Sequence, residues 1–213
     1  MHNLKLNHEF HMRENITYTL KDASGKALKL FQDNFLNRAI FGFFRDNLGI
    51  QPIGKDGMVK PGILNHLAAY GLRIPFVTGH WTYEMKAANL VTSAGKAAIA
   101  SRFNGAGSEA AFTYIALGTG TTAAAVGNTT LETEITDSGL TRQSATVSRT
   151  TTTVTNDTAR LTYTWTASGS KAVTESGCLN AASSGVLANR QVFSAVNLVN
   201  GNSFQATHDF AFS

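Results

Sequence analysis

Several features that other protein classes depend on are scarce in this chain of 213 residues. Its single cysteine, Cys178, cannot form an intramolecular disulfide, so stability has to come from the core and from partners. Three prolines argue against a Pro-rich linker, and 19 glycines without a fixed period exclude collagen. The longest apolar runs are far shorter than the roughly 18 residues that span a bilayer. Because Lys5 and Glu9 interrupt any apolar signal core, we expect folding in a reducing cytoplasm.

Charge is also scarce, at 15% of residues, against about 25% in an average soluble chain. Residues 108–213 carry threonine and serine instead, 33 in 106 positions, and threonine suits a half-exposed pleated surface. Residues 1–107 hold 13 Lys and Arg against 7 Asp and Glu, whereas the second half has a net charge of −2. This change of composition predicts two domains, a basic α+β region over 1–107 and a β-sandwich over 108–213.

The basic character of the first half does not indicate nucleic-acid binding. Its Lys and Arg residues are scattered, and only Lys21, Lys26 and Lys29 come close together, around a turn. The spacing of an RRM, a KH domain or a zinc finger is absent. We therefore expect neither nucleic acid nor a membrane as a partner.

The first half predicts strands and helices. Residues 16–20 alternate apolar and polar, and the turn at 22–25 lets 27–30 return as the second arm of a hairpin. A helix is expected after Asn34, and a second, Ala-rich helix over 93–103. The apolar face of the first helix consists of Phe35, Leu36, Ala39, Ile40, Phe43 and Phe44. Residues 34–39 resemble 89–94, which fits either a degenerate strand–helix repeat or two ordinary capped helices.

From Phe112 onward the pattern predicts strands alone. Leu161, Tyr163 and Trp165 alternate with polar residues, as do the apolar positions from Phe204 to Phe212. Further strands are expected over 112–117, 140–149, 150–154, 173–179 and 186–198, with a hairpin turn at 200–202. Short strands separated by turns indicate an antiparallel sandwich, so the fold class is α+β, with an N-terminal strand–helix region followed by the sandwich. We expect residues 106–213 to fold as a unit.

Among motifs that carry chemistry, the string Gly118-Thr119-Gly120-Thr121-Thr122 is the nearest to a phosphate cradle. It follows a strand, but it lacks the third glycine of a dinucleotide fingerprint, the lysine of a P-loop and a following helix. Nucleotide binding is therefore not expected.

The titratable residues do not assemble into a site either. His2, His8 and His11 lie in an N-terminal segment that offers little rigidity for a metal, His66 and His80 are separated by a loop, and His208 reads as a satisfied core histidine. Glu132, Glu134 and Asp137 lack the spacing of a calcium loop. Cys178 reads as a small buried hydrophobe, and Glu175, at an apolar position, should cap a backbone or pair with Arg190. The sequence predicts no catalytic, cofactor-binding or metal-binding residues and no enzyme activity.

Six strings stand out over roughly residues 81–213, namely Asn89–Gly95, Tyr114–Thr122, Thr130–Ile135, the strand around Arg142, Val173–Ala181 and Leu187–Arg190. Their order and wording resemble a family of tailed-bacteriophage virion structural proteins. The chain departs from that family at Cys178, where a large aliphatic residue is usual. The resemblance implies a virion component of the tail, neck, baseplate or fibre attachment, or a capsid decoration protein. Its implied partners are copies of itself and other virion proteins, in the virion and, during assembly, the host cytoplasm.

A carbohydrate- or receptor-binding module is the alternative from another class. It would need exposed aromatic side chains, for which Trp81, Tyr83 and Trp165 are the candidates, although their alternation favours core packing. A host glycan is then the partner. An enzyme, such as a cell-wall hydrolase, comes third because the sequence contains no triad or metal constellation.

Overall fold

The computed structural model describes residues 12–32, 80–88 and 90–212, and within them the chain forms an antiparallel β-sandwich with one α-helix. The predicted α+β class is confirmed. The elements, in chain order, are β1 Met12–Lys21, β2 Ala27–Leu28, β3 Leu30–Gln32, β4 His80–Thr82, β5 Met85–Ala88, β6 Leu90–Val91, α1 Ser93–Asn104, β7 Tyr114–Gly118, β8 Gln143–Ser144, β9 Thr146–Thr150, β10 Thr158–Thr166, β11 Lys171–Leu179, β12 Leu187–Leu198 and β13 Ser203–Phe212.

The strands form two main sheets. The first sheet has the order β2-β1-β13-β10-β9, with β5 also paired to β1, and the second has the order β6-β12-β11-β7-β8. β3 and β4 form a separate two-stranded ribbon. The inner faces of both sheets share one core, which includes Ile16, Trp165 and Phe204 from the first sheet and Leu117 and Val196 from the second.

The alternation read from the sequence sets which face of each strand is buried. In β10, Leu161 and Trp165 are buried and Tyr163 is half-buried, as predicted. In β13 every second side chain from Phe204 to Phe210 is buried. Because successive strand residues point to opposite sides, this period fixes the register of each strand against the core.

Both predicted hairpin turns are present. Gly25 has φ 86° between β1 and β2, and Gly201 has φ 85° between β12 and β13. These left-handed conformations cost glycine little because it has no Cβ. The Asn202 N–H donates to the Val199 carbonyl at 3.0 Å and closes the second turn.

The sandwich extends beyond residues 108–213, the range assigned to it from composition. β1 pairs with β13 over its whole length, from Met12 opposite Phe212 to Lys21 opposite Ser203. The buried side chains of Ile16 and Tyr18 belong to the shared core. A fragment of residues 106–213 would expose one edge of β13 and lack these side chains, so the unit expected over that range is completed by β1.

The Ala-rich helix is confirmed as α1, packed on the second sheet. Thr92 is its N-cap, with the side-chain oxygen accepting from the Gly95 N–H, and Gly105 ends it with φ 68°. A Cβ on Gly95 would lie 2.2 Å from the Ala188 carbonyl oxygen, so glycine permits the close approach of α1 to β12. No helix within the described ranges is long and apolar enough to span a membrane.

Two strand predictions differ from the structure, and several fall outside it. The strand expected over 150–154 ends with β9 at Thr150, and residues 152–154 form bends, since the Asp157 carboxylate accepts the N–H groups of Thr152, Thr153 and Val154. The expected strand 140–149 is two strands, β8 in one sheet and β9 in the other. The helix after Asn34, the repeat segment 34–39, and His2, His8, His11 and His66 lie outside the described residues.

Candidate functional site

The candidate site is built around Glu175, a carboxylate in the middle of β11. A register shift between Val173 and Glu175 turns Glu175 away from the inter-sheet core, toward the loop of residues 119–134. The loop covers it so that the residue is 0% exposed. Its carboxylate accepts three backbone N–H groups of this loop, from Gly120 at 3.0 Å, Glu132 at 3.1 Å and Thr133 at 2.8 Å.

Arg190 of β12 supplies the opposite charge. Its Nε donates to Glu175 Oε2 at 2.7 Å, and the residue is 1% exposed. The other guanidinium nitrogens reach Glu132 Oε2 and Asn128 Oδ1 of the loop, each at 3.2 Å. Both expected roles of Glu175, capping backbone groups and pairing with Arg190, are confirmed.

This arrangement explains the glycine-rich string from Gly118 to Thr122. A Cβ on Gly118 would lie 2.4 Å from Glu175 Oε1, and one on Gly120 would lie 2.5 Å from the same atom. The string therefore lets backbone approach an anion closely, as a phosphate cradle does. Here the anion is the protein's own carboxylate, which accepts the Gly120 N–H that a phosphate group would otherwise use.

A second buried polar cluster links the two sheets. The hydroxyls of Tyr18 and Ser176 lie 2.6 Å apart, Ser176 Oγ lies 3.3 Å from His208 Nε2, and His208 Nδ1 lies 3.1 Å from Asn189 Nδ2. Asn189 Oδ1 accepts the Cys178 N–H at 2.6 Å. Burial lowers the pKa of His208 to about 3 and keeps its ring neutral.

The hydrogen bonds of this cluster fix its proton positions. Since Asn189 Oδ1 accepts from Cys178, its amide nitrogen donates to His208 Nδ1, and the ring proton is on Nε2. His208 thus donates to Ser176 and is not placed to remove the serine proton as a general base would. Ser176, Asn189 and His208 are each 0% exposed, so no substrate reaches them in this conformation. The cluster satisfies buried polar groups, as expected for His208.

The other candidate carboxylates diverge rather than converge. Glu134 forms a bidentate pair with Arg142, whose guanidinium also donates to the Ala181 and Ser184 carbonyls. Asp137 pairs with Lys171 at 3.0 Å. Each acid therefore neutralises a different base. Across the part of the chain that the structure describes, no three His, Cys, Asp or Glu residues are grouped to hold a metal ion.

The aromatic candidates separate into one core residue and two surface residues. Trp165 is 1% exposed, whereas Trp81 is 43% and Tyr83 is 55% exposed, so the expectation of core packing was wrong for these two. Phe31 contacts Trp81 edge-on with ring centroids 5.4 Å apart, and Lys29 Nζ lies 5.4 Å from the centre of the Tyr83 ring. The break at residues 83–84, between β4 and β5, interrupts the alternation that predicted burial.

Cys178 is fully buried within the inter-sheet core, as expected for a small hydrophobe. Sequence reasoning missed Tyr18, Ser176 and Asn189 as members of one cluster. The available signal was a polar residue at a position that the strand pattern assigns to the core.

Comparisons with protein-family models, with curated proteins and with solved structures found no match.

Proposed function

We propose that this protein is a structural component of a tailed-bacteriophage particle and acts by stoichiometric assembly in the tail, neck, baseplate or fibre attachment. A capsid decoration protein is the alternative within the same class. The proposal begins from the resemblance of strings over roughly residues 81–213 to virion structural proteins.

One observation carries the proposal: most of those strings, which lie far apart in sequence, converge on the buried Glu175–Arg190 pair. β7 with the start of the loop, the loop residues Thr130–Ile135, β11 and the start of β12 all contact it or flank it. These residues thus brace a covered loop on the second sheet rather than line an open cleft. When the residues of these strings stabilise the module itself, its surface keeps a fixed shape. A fixed surface suits a part that makes the same contact with neighbouring subunits many times.

The test is quantitative mass spectrometry of purified, washed particles. We expect the protein to be present in a copy number that is a multiple of three or six, because a tail or neck ring has closed cyclic symmetry. Hundreds of copies would instead assign it to capsid decoration. Absence from washed particles, together with turnover of a substrate by the pure protein, would overturn the proposal in favour of an enzyme.

A second candidate function, glycan or receptor binding, is favoured by the exposed aromatic side chains of Trp81 and Tyr83. Aromatic faces supply large contact area at low entropic cost, and Lys29 and Glu84 add polar groups beside them. This role is compatible with a position on a tail or fibre.

A glycan array with the full chain tests this second function. We expect Trp81→Ala and Tyr83→Ala each to reduce any glycan signal at least about tenfold, as loss of a central aromatic contact does. Phe103→Ala is the matched control, because Phe103 is an aromatic residue that is 94% exposed near the end of α1 and belongs to neither strand of the ribbon. Equal signals from all four proteins, or no signal from the unmodified chain, would contradict glycan binding.

A further inference from the structure

An apolar groove lies between α1 and the inner face of the first sheet. It has a volume of about 240 Å³, and its helix side is lined by Ile99 and Arg102 of α1. Its sheet side is formed by β10 and β13, through Ala159, Leu161, Phe210 and Phe212. Apolar surface in contact with water is unfavourable, so the groove suits an apolar side chain.

The strand pairing extends the sheet side of this groove to β9. Phe210 of β13 is opposite Ala159 of β10, and Ala159 is opposite Arg149 of β9. In the next row Leu161 is opposite Val147 of β9. Because directly opposite residues point to the same face of a sheet, Val147 and Arg149 stand on the face that carries the groove. Val147 is 54% exposed, so the described residues leave this end of the face open.

The outer edge of β9 is also open within the part of the chain that the structure describes. β9 ends the strand order of the first sheet, and β10 is its only neighbour there. Its other side therefore presents unpaired backbone N–H and C=O groups, to which a further strand can add. The strand contains no proline and pairs with β10 without a register shift, so its own backbone does not oppose that addition.

Two guanidinium groups give this edge a positive charge. Arg149 is exposed, and Arg102 donates to the Glu109 backbone carbonyl at 2.9 Å. Neither forms an ion pair with the residues that the structure describes, and the Glu109 carboxylate bonds to the Ser101 hydroxyl instead. A charge on an edge strand opposes pairing with an apolar or basic strand, whereas a carboxylate opposite Arg149 would neutralise it.

We propose that β9 and the groove bind an extended acidic segment of another protein, in which apolar and acidic side chains alternate along one face of the segment. The segment adds to the first sheet as a strand beside β9. Its apolar side chain lies opposite Val147, toward the groove, and its carboxylate lies opposite Arg149. This interaction goes beyond the proposed function and does not depend on it.

A second copy of this chain fits the same edge less well. Antiparallel pairing of two β9 strands about Ser148 would place Val147 opposite Arg149 and leave both Arg149 side chains without a carboxylate. The other edge of the first sheet, β2, lies between Lys26 and Lys29. Pairing of β9 with β2 of a second copy would therefore bring like charges together.

Fluorescence anisotropy with synthetic peptides and the full chain tests the proposal. The probe is the labelled peptide Thr-Val-Thr-Glu-Thr-Val-Thr-Glu, which places valine and glutamate on one face of a strand. The control Thr-Val-Glu-Thr-Thr-Val-Glu-Thr has the same composition but places them on opposite faces. We expect the probe to bind at least about tenfold more tightly than the control. Equal binding, or no binding of the probe at about 1 mM, would overturn the proposal.

Charge reversal in β9 tests the contact with the carboxylate. Arg149→Glu should weaken binding of the probe at least about tenfold and should gain binding of a peptide in which lysine replaces each glutamate. Lys26→Glu is the matched control, because it makes the same change of charge beside β2, at the opposite edge of the sheet. An equal effect of both variants would reduce the contact to net charge and contradict the proposal. If Arg149→Glu loses its folded circular dichroism spectrum, Val147→Asp should weaken binding of the same probe.

Backbone hydrogen exchange then shows whether the peptide adds as a strand. Saturating probe should slow exchange within Thr146–Thr150 and leave Ala27–Leu28 unchanged, because pairing protects the outward N–H groups of β9. Unchanged exchange in β9 would rule out strand addition. Analytical ultracentrifugation of the chain without peptide should show no association through this edge, whereas a dimer that Arg149→Glu dissociates would assign the edge to a second copy.

Discussion

Replacing Arg190 by methionine should lower the free energy of unfolding by about 3–5 kcal/mol, the usual cost of removing one partner of a buried ion pair. Arg190 and Glu175 are 1% and 0% exposed, so water cannot replace the lost guanidinium. Among the described residues, Arg190 is the only cation in an ion pair with Glu175, so the carboxylate would lose its neutralising charge. Its three backbone donors would remain. Glu132 and Asn128 would lose their contacts to the same side chain.

Urea denaturation followed by near-UV circular dichroism measures this loss. Arg160→Met is the matched control, because Arg160 also forms a bidentate pair, with Asp209, but its side chain is 40% exposed. That pair should contribute only about 0–1 kcal/mol. The double variant Glu175→Gln, Arg190→Met should regain part of the loss, since the amide is uncharged and can still accept backbone N–H groups. A cost for Arg190→Met no greater than that for Arg160→Met would disprove this role.

Mild acid should destabilise the protein through His208, by about 2 kcal/mol between pH 7 and pH 5. Burial lowers the pKa of His208 to about 3, below the ordinary value of 6.5. At pH 5 the unfolded chain therefore binds a proton that the folded chain does not, and stability falls as pH falls from about 6.5 toward 3. The neutral ring is required because its Nδ1 accepts from Asn189.

The His208→Gln variant isolates this effect. Glutamine is neutral at both pH values and can both donate and accept, so the stability of this variant should change by about 2 kcal/mol less between pH 7 and pH 5 than that of the unmodified chain. Stability is measured by urea denaturation at each pH. Four described carboxyls also have a lowered pKa, namely those of Asp22, Glu109, Glu132 and Asp157. At pH 7 they are ionised in the folded and the unfolded chain, and their contribution to stability is lost at lower pH in the unmodified chain and the variant alike. Parallel loss in both proteins would contradict the assignment to His208.

The sequence by itself determined the strands whose two faces meet different surroundings. Leu161 and Trp165 in β10, and Phe204 to Phe210 in β13, alternate with polar residues because one face meets the core and the other meets solvent. The turns at Gly25 and Gly201 and the cap of α1 at Gly105 are also local, since a left-handed backbone conformation favours glycine wherever it occurs. Such features depend on a few adjacent residues and can be predicted without the rest of the chain.

Only the tertiary structure decided which distant segments meet. β1 pairs with β13 across almost the whole chain, so composition placed a boundary through a single sandwich. Thr152, Thr153 and Val154 have strand-forming side chains but bend because the Asp157 carboxylate accepts their N–H groups. The role of Gly118–Thr122 could not be predicted from the string itself either. The anion that its backbone approaches belongs to Glu175, 55 residues beyond Gly120. Electrostatic and sheet-edge contacts of this kind form between segments far apart in sequence, and local periodicity contains no information about them.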